Sequence, residues 1–443
     1  MSSPSETLAT GPARADGALL RAIGTWALAA SIVNITVGGG IFRIPGSPQI
    51  SGTLGAAAPV AYVVCVVIMG LIVLCIAQAG SRVSLTGGPY AYVEASFGRY
   101  FGFLVGVLLW MIGATAVPGV AGLFADAAGK LAPSLDDQVG RALVLAVIIT
   151  AVTLINVRGV KQGTRLNLVF TVAKLAPLLL LLVAGLFAIQ PANFSWAHAS
   201  PTAANVSRAS IILIFAFAGV ETALVPSGEV QDTRRTVPRA LFIALTLITL
   251  LYIGLQVVAQ GVLGSALPGD PTPLASAATK VFGSWGGIMI SSGLMISAFG
   301  YLGGMMLATP RALYAFAQDG ILPRQFAYVH PRYRTPWIAI TAQSALAWIL
   351  AITNKFETLL ILANVSVLLV YLGCAAAAFK LQRSSGTTKA LGFTMPGGIL
   401  VPVLAALAIG FLLTAVTPKE WTVLGLVLLV ASGLYWLASR TDD

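Results

Sequence analysis

The stretch Val37-Gly38-Gly39-Gly40-Ile41-Phe42-Arg43-Ile44-Pro45-Gly46 lies inside an apolar run and is a poor continuation of any helix. Each glycine loses more conformational freedom on folding than any other residue, and the proline has no N–H to donate. At membrane depth, broken backbone is tolerated only where protein or a watery cavity satisfies the freed polar groups. A second break recurs five runs further on. There Phe215-Ala216-Phe217-Ala218-Gly219-Val220-Glu221 sets a glycine and an acid mid-run, ahead of Pro226 and Gly228. Taken alone, either motif reads as glycine-mediated helix packing. As a pair at matching places in two halves, they point to a ligand site between inverted repeats.

Outward from these breaks, the chain has 443 residues, 57% hydrophobic and only 9% charged, against about 25% charged for a soluble domain. A soluble protein is excluded. The expected class is an all-α polytopic membrane protein with spans at about 22–50, 55–80, 100–124, 139–156, 166–190, 207–230, 238–264, 284–316, 336–353, 356–380, 397–416 and 421–439. Twelve helices of ~20 residues fit the apolar content. The organisation expected is an N-terminal segment 1–21, a first repeat 22–190 (spans 1–5), a second repeat 207–380 (spans 6–10), spans 11 and 12 over 397–439, and a tail 440–443.

Counting Lys and Arg on alternate sides gives 18 against 6, with Arg43 and Lys174 inside spans. The positive-inside rule then places both termini in the cytoplasm of a cell inner (plasma) membrane protein. The net charge of +11 sits in short loops, not on one face, so nucleic acid is not an expected partner. Cys65, Cys75 and Cys374 fall in apolar runs and read as packing residues. His198 and His330 fall in loops, which leaves no metal site, no cofactor and no histidine-based catalysis to expect at depth. The polar first 20 residues lack an apolar core with a cleavage site, so no signal peptide is expected to be removed. No coiled coil marks an assembly, and a monomer or weak homodimer is expected.

The motifs resemble those of the amino acid–polyamine–organocation superfamily. Val37–Gly46 is similar to its glycine-rich first signature, and Phe215–Glu221 continued by Pro226–Glu229 and Arg235–Arg239 to its second. Gly87-Gly-Pro-Tyr-Ala-Tyr92, Asn156–Lys161, Thr171–Lys174 and Thr309–Gly320 complete a set running in order through spans 1 to 10. The resemblance implies a LeuT-like fold of five-plus-five spans with helices 1 and 6 broken. It also implies transport of amino acids or amines, by proton coupling or exchange, with spans 1, 2, 6 and 7 moving against 3, 4, 8 and 9.

Residues and resemblance together give the expected site. Amides at Gly38, Gly39 and Gly40, beside Ile41, offer donors for a carboxylate. Carbonyls near Val37, Phe215 and Ala218, with Gly219 beside them, accept from an ammonium. A zwitterionic amino acid satisfies both. The resemblance makes Phe215 the aromatic that closes over substrate, against a plain core phenylalanine; Ala218 then leaves room for the substrate side chain.

Lys174 stands in an apolar helix four residues before Pro177. A bare ammonium at that depth is costly, so it is expected either to shed its proton during the cycle or to act as a fixed strut. By resemblance it stands where sodium would bind, bridging span 1 to span 8 at Ser291, Ser292 or Ser297. Glu221 is read first as satisfying backbone freed by the break, and otherwise as a proton acceptor or a ligand for a cationic substrate. No other acid lies mid-span, which favours a neutral substrate side chain. Arg43 either attracts anionic groups or pairs with an acid such as Asp126, and the first option keeps acidic amino acids open. An enzyme would need histidines or acid pairs at depth, and a channel would need repeated polar rings.

Overall fold

The computed structural model describes residues 24–82, 88–158, 164–194, 201–219, 230, 232–353, 356–383 and 395–439. Glu221, the 159–161 part of the Asn156–Lys161 motif and most of the loop after span 6 lie outside these described residues.

Regular structure here is helical. In chain order the helices are α1 (Thr25–Thr36), α2 (Gly40–Arg43), α3 (Ala58–Arg82), α4 (Pro89–Phe97), α5 (Arg99–Leu131), α6 (Gln138–Arg158), α7 (Thr164–Leu186), α8 (Ala203–Phe217), α9 (Thr233–Leu263), α10 (Pro273–Phe282), α11 (Ser284–Gln318), α12 (Trp337–Thr353), α13 (Phe356–Arg383), α14 (Leu400–Leu413) and α15 (Pro418–Ser439). Seven of them are long and apolar enough to cross a membrane. An eighth crossing results if α1 and the irregular helical stretch Gly40–Gly52, bent by 46°, are one broken span. Four shorter apolar helices, Ala173–Leu186, Ala203–Phe217, Trp337–Thr353 and Leu400–Leu413, stand at the remaining expected positions. Outward-facing side chains such as Val63, Val67, Leu247, Leu250 and Leu429 are apolar and exposed, as expected of a surface solvated by lipid.

The core is organised on α5, which packs along both α11 and α13. Small residues let the helices meet closely. A Cβ at Gly106 would stand 3.4 Å from the Phe316 ring, and Gly113 is seated directly on the Thr309 side chain. Cys65, Cys75 and Cys374 are buried and outside any disulfide, so the packing role expected of them is what the helices give them.

One construction occurs twice. A short proline-led helix, α4 or α10, ends at a glycine that also begins a long helix, α5 or α11. Gly98 (φ +92°, ψ 175°) and Gly283 (φ +77°, ψ −168°) share a backbone region essentially confined to glycine. Both long helices then carry an internal proline, Pro118 and Pro310.

Candidate functional site

Both expected breaks are present. Helix α1 stops at Thr36, and Val37 caps it with its N–H on Val33 O at 2.9 Å. Gly38 N–H donates to Thr36 O at 2.8 Å, so that amide is already engaged in the turn. The second segment restarts at Gly40, where first-turn N–H groups have no carbonyl four residues back. Helix α8 stops at Phe217, Ala218 is extended, and Gly219 takes φ +119°.

The two breaks abut. A Cβ on Gly219 would lie 3.1 Å from Ile35 Cγ2 and 3.4 Å from the backbone of Thr36. A Cβ on Gly40 would lie 2.9 Å from Cδ1 of Phe215. The glycines thus bring helix end against helix end and an aromatic ring against bare backbone. Tyr252 of α9 fixes this arrangement: its hydroxyl lies 3.0 Å from Thr36 O and 2.9 Å from Ala216 O, and has one hydrogen to share between them. Its ring meets Phe217 edge-on at 5.2 Å.

Between the breaks lies an enclosed cavity of about 40 Å³, room for a few waters. Gly38, Gly39, Gly40, Phe215, Ala218 and Gly219 line it, so six of the expected residues are brought together. Val37 and Ile41 are fully buried beside it in the packed core and are not among its lining residues. Its other walls are Ile35 and Thr36 of α1, Ile112 and Val120 of α5, Tyr301 and Met305 of α11, and Ala363 and Val367 of α13. These walls come from α5, α11 and α13, apolar runs whose sequences carry no polar stripe to say which face turns inward. Among the described residues, no charged side chain lines the cavity.

A family model described as amino acid permease matches residues 23–434, nearly the whole chain. The chain belongs to the amino acid permease family. Relatives of this permease include the serine/threonine exchanger SteT of Bacillus subtilis, 28% identical over 94% of this chain and 95% of that one. A methylthioribose transporter of the same organism is 27% identical over 95% and 94% of the two chains. The branched-chain amino acid permease BcaP, also from B. subtilis, is 24% identical over 95% and 94%. The permease is therefore an integral membrane transporter and not an enzyme.

Two charged groups flank the permease cavity. Lys174 is buried on α7 and its Nζ donates to Asn34 O in the last turn of α1, which realises the expected bridge to span 1. On the other flank α11 passes close by, where a Cβ at Gly293 would stand 3.4 Å from Pro177. Ser291 Oγ and Ser297 Oγ are buried there and accept nothing from Lys174; neither has a hydrogen-bond partner among the described residues. Arg43 takes the second of its expected roles. Its Nη1 lies 3.1 Å from Asp126 Oδ2, and Arg141 occupies the other carboxylate oxygen. It also reaches Pro271 O at 3.4 Å, so α2 is tied both to α5 and to the loop before α10.

Proposed function

We propose that this permease is a secondary transporter of amino acids with neutral side chains, independent of sodium and coupled to protons. The carrying observation is the cavity at the junction of two broken helices, walled by Ile112, Val120, Met305, Ala363 and Val367 and, among the described residues, by no charged group. Helix-start amides at Gly39 and Gly40, and carbonyls at the ends of α1 and α8, suit the carboxylate and ammonium of an α-amino acid. The apolar walls leave an ionic substrate side chain without a partner, which disfavours acidic amino acids and polyamines. At about 40 Å³ the cavity admits an amino acid only if a wall moves, and Phe215, half-buried against Gly40, is the wall we assign that motion.

The architecture behind this reading is twelve crossings in a LeuT-like five-plus-five inverted repeat, with both termini cytoplasmic in the cell inner membrane. Support comes from the twice-used helix–glycine–long helix construction and from the packing. Helix α1 lies against α9, and α8 against α3, as a twofold exchange of spans 1 with 6 and 2 with 7 requires. Lys174 fills the place of a sodium ion with its own ammonium, held on Asn34 O, and its loss or gain of a proton would bias α1 against α7. A second reading, amino acid exchange without ion coupling, is favoured by the likeness to the serine/threonine exchanger. Lys174 is then a strut. Glu221 is assigned to backbone made free by the second break.

Uptake of radiolabelled amino acids into proteoliposomes, with and without an inward proton gradient, separates the readings. Gradient-driven accumulation of a neutral amino acid that Lys174→Ala abolishes supports proton coupling. Uptake seen only into amino acid-loaded vesicles supports exchange. Failure of every amino acid to move, with methylthioribose moving instead, would sink the substrate assignment.

A further inference from the structure

An ammonium group carries three N–H donors and calls for an acceptor for each. The end of α1 has few carbonyls to spare for one. Val33 O takes Val37 N–H at 2.9 Å, and Asn34 O takes the Lys174 ammonium. Thr36 O is used twice, by Gly38 N–H at 2.8 Å and by the Tyr252 hydroxyl at 3.0 Å. A carbonyl oxygen has two lone pairs, so this one is full. At the end of α8, Ala216 O also receives Tyr252, at 2.9 Å.

Thr36 holds a second acceptor, in its side chain. The residue is 3% exposed and lines the cavity, and its Oγ1 has no hydrogen-bond partner among the described residues. A helical threonine can turn its hydroxyl onto a carbonyl three or four residues back. Thr115 does so on Met111 O at 2.8 Å, and Thr249 on Leu245 O at 2.6 Å. Thr36 does not, although a buried hydroxyl left unpaired is costly. It also stands at the C-terminal end of α1, where the helix dipole favours a cation. The facing walls Ile112 and Val120 have no polar side-chain atom to offer it. We propose that Thr36 Oγ1 binds substrate directly, accepting one N–H of its ammonium while backbone carbonyls of the two helix ends accept the others, an assignment that rests on the cavity's being an amino acid site. Part of the affinity then resides in a side chain, which substitution can remove without touching the backbone of the break.

Uptake of radiolabelled L-alanine, L-threonine and L-leucine into proteoliposomes tests this, with KM and kcat measured for whichever enters fastest. Thr36→Val keeps the shape of the side chain and deletes the hydroxyl. It should raise KM about ten- to hundredfold, the worth of one hydrogen bond to a charged group, and leave kcat little changed. Thr36→Ser keeps the hydroxyl and should recover most of that loss. Since the hydroxyl has no partner to lose among the described residues, the thermal midpoint of Thr36→Val in detergent should not fall. L-Alaninamide keeps the ammonium without the carboxylate, and as a competitor it should show the same weakening. A weakening absent for alaninamide would place the hydroxyl on the carboxylate and overturn the assignment. So would an unchanged KM in Thr36→Val, or a serine variant as impaired as the valine one. If none of the three amino acids enters with the unaltered protein, the amino acid reading itself falls and takes this assignment with it.

Discussion

The two ends of the bundle hold themselves together by different chemistry. At the Lys/Arg-poor end, acids join separate helices: Asp126 lies between Arg43 and Arg141, and Glu420 takes Arg208 at 3.2 Å while capping α15 through Thr417 N–H. At the Lys/Arg-rich end, the cations turn to carbonyls and rings. Arg82 donates to Leu381 O, Arg311 to Leu307 O, and Lys380 and Arg383 lie over aromatic faces. The ion pair described at that end, Arg235–Asp232, is exposed and lies within a single helix turn. With 15 acids for 26 bases, the chain places its cross-helix carboxylates where few cations compete. The lesson is that one end is latched by charge and the other is capped. Arg43 sits in the short segment just past the first break, so the latch acts on the helix whose first residue, Gly40, lines the cavity.

The strongest way to break this contrast is Asp126→Asn. It leaves Arg43 and Arg141 facing each other without a carboxylate, and since the acid is about a fifth exposed, a loss of about 1–3 kcal/mol is expected. Thermal unfolding would register it, together with faster labelling of a cysteine placed at Ala363. Unchanged labelling would mean that the latch does not hold the cavity shut. The turns sharpen the contrast from the other side, because there the two ends are alike. Gly98→Ala and Gly283→Ala meet no atom within 4 Å, so each should cost only backbone strain, about 1–3 kcal/mol and equal within error. Unequal midpoints would count against a repeated construction.

Gly40→Ala should act on transport more than on stability, raising KM several-fold as the new Cβ pushes on Phe215. Phe215→Leu in the same chain should recover part of that loss, which uptake kinetics would reveal as non-additivity. The smallest effect is expected from Glu420→Gln, about 0.5–1 kcal/mol and shrinking with salt; a salt-independent loss would point to the cap on Thr417 instead.

Much of this was legible in the chain, and what was not has physical causes. The breaks were visible because Gly38–Gly40 and Gly219 violate helix propensity inside runs that otherwise favour it. Arg43 and Lys174 stood out as charges at depth, and Asp126 could be named as a partner because acids are scarce. The facing of α5, α11 and α13 was invisible, since helices apolar on all sides carry no periodic stripe. Tyr252 was missed for a related reason: a tyrosine in an apolar run looks like packing, although a buried tyrosine hydroxyl usually finds a partner. The break expected in span 6 is the extended Ala218 and left-handed Gly219 that end α8 at Phe217, and residues 220–229 of that span lie outside the described residues. The serines of span 8 were matched to Lys174 by position, but the ammonium reaches the carbonyl of Asn34 instead.

The single hydroxyl of Tyr252 has a consequence for the order of events. It serves the last carbonyls of two different helix ends, Thr36 O and Ala216 O, from a third helix. If the end of α8 swings away alone, Ala216 O gives up the hydroxyl while Thr36 O keeps the Gly38 N–H, at a cost of about 1–3 kcal/mol, or roughly five- to 150-fold in population. Independent motion of the two breaks is therefore rare, and joint motion is the cheaper path. The tyrosine works as a yoke: whatever displaces one half-helix is felt by the other in the same stroke.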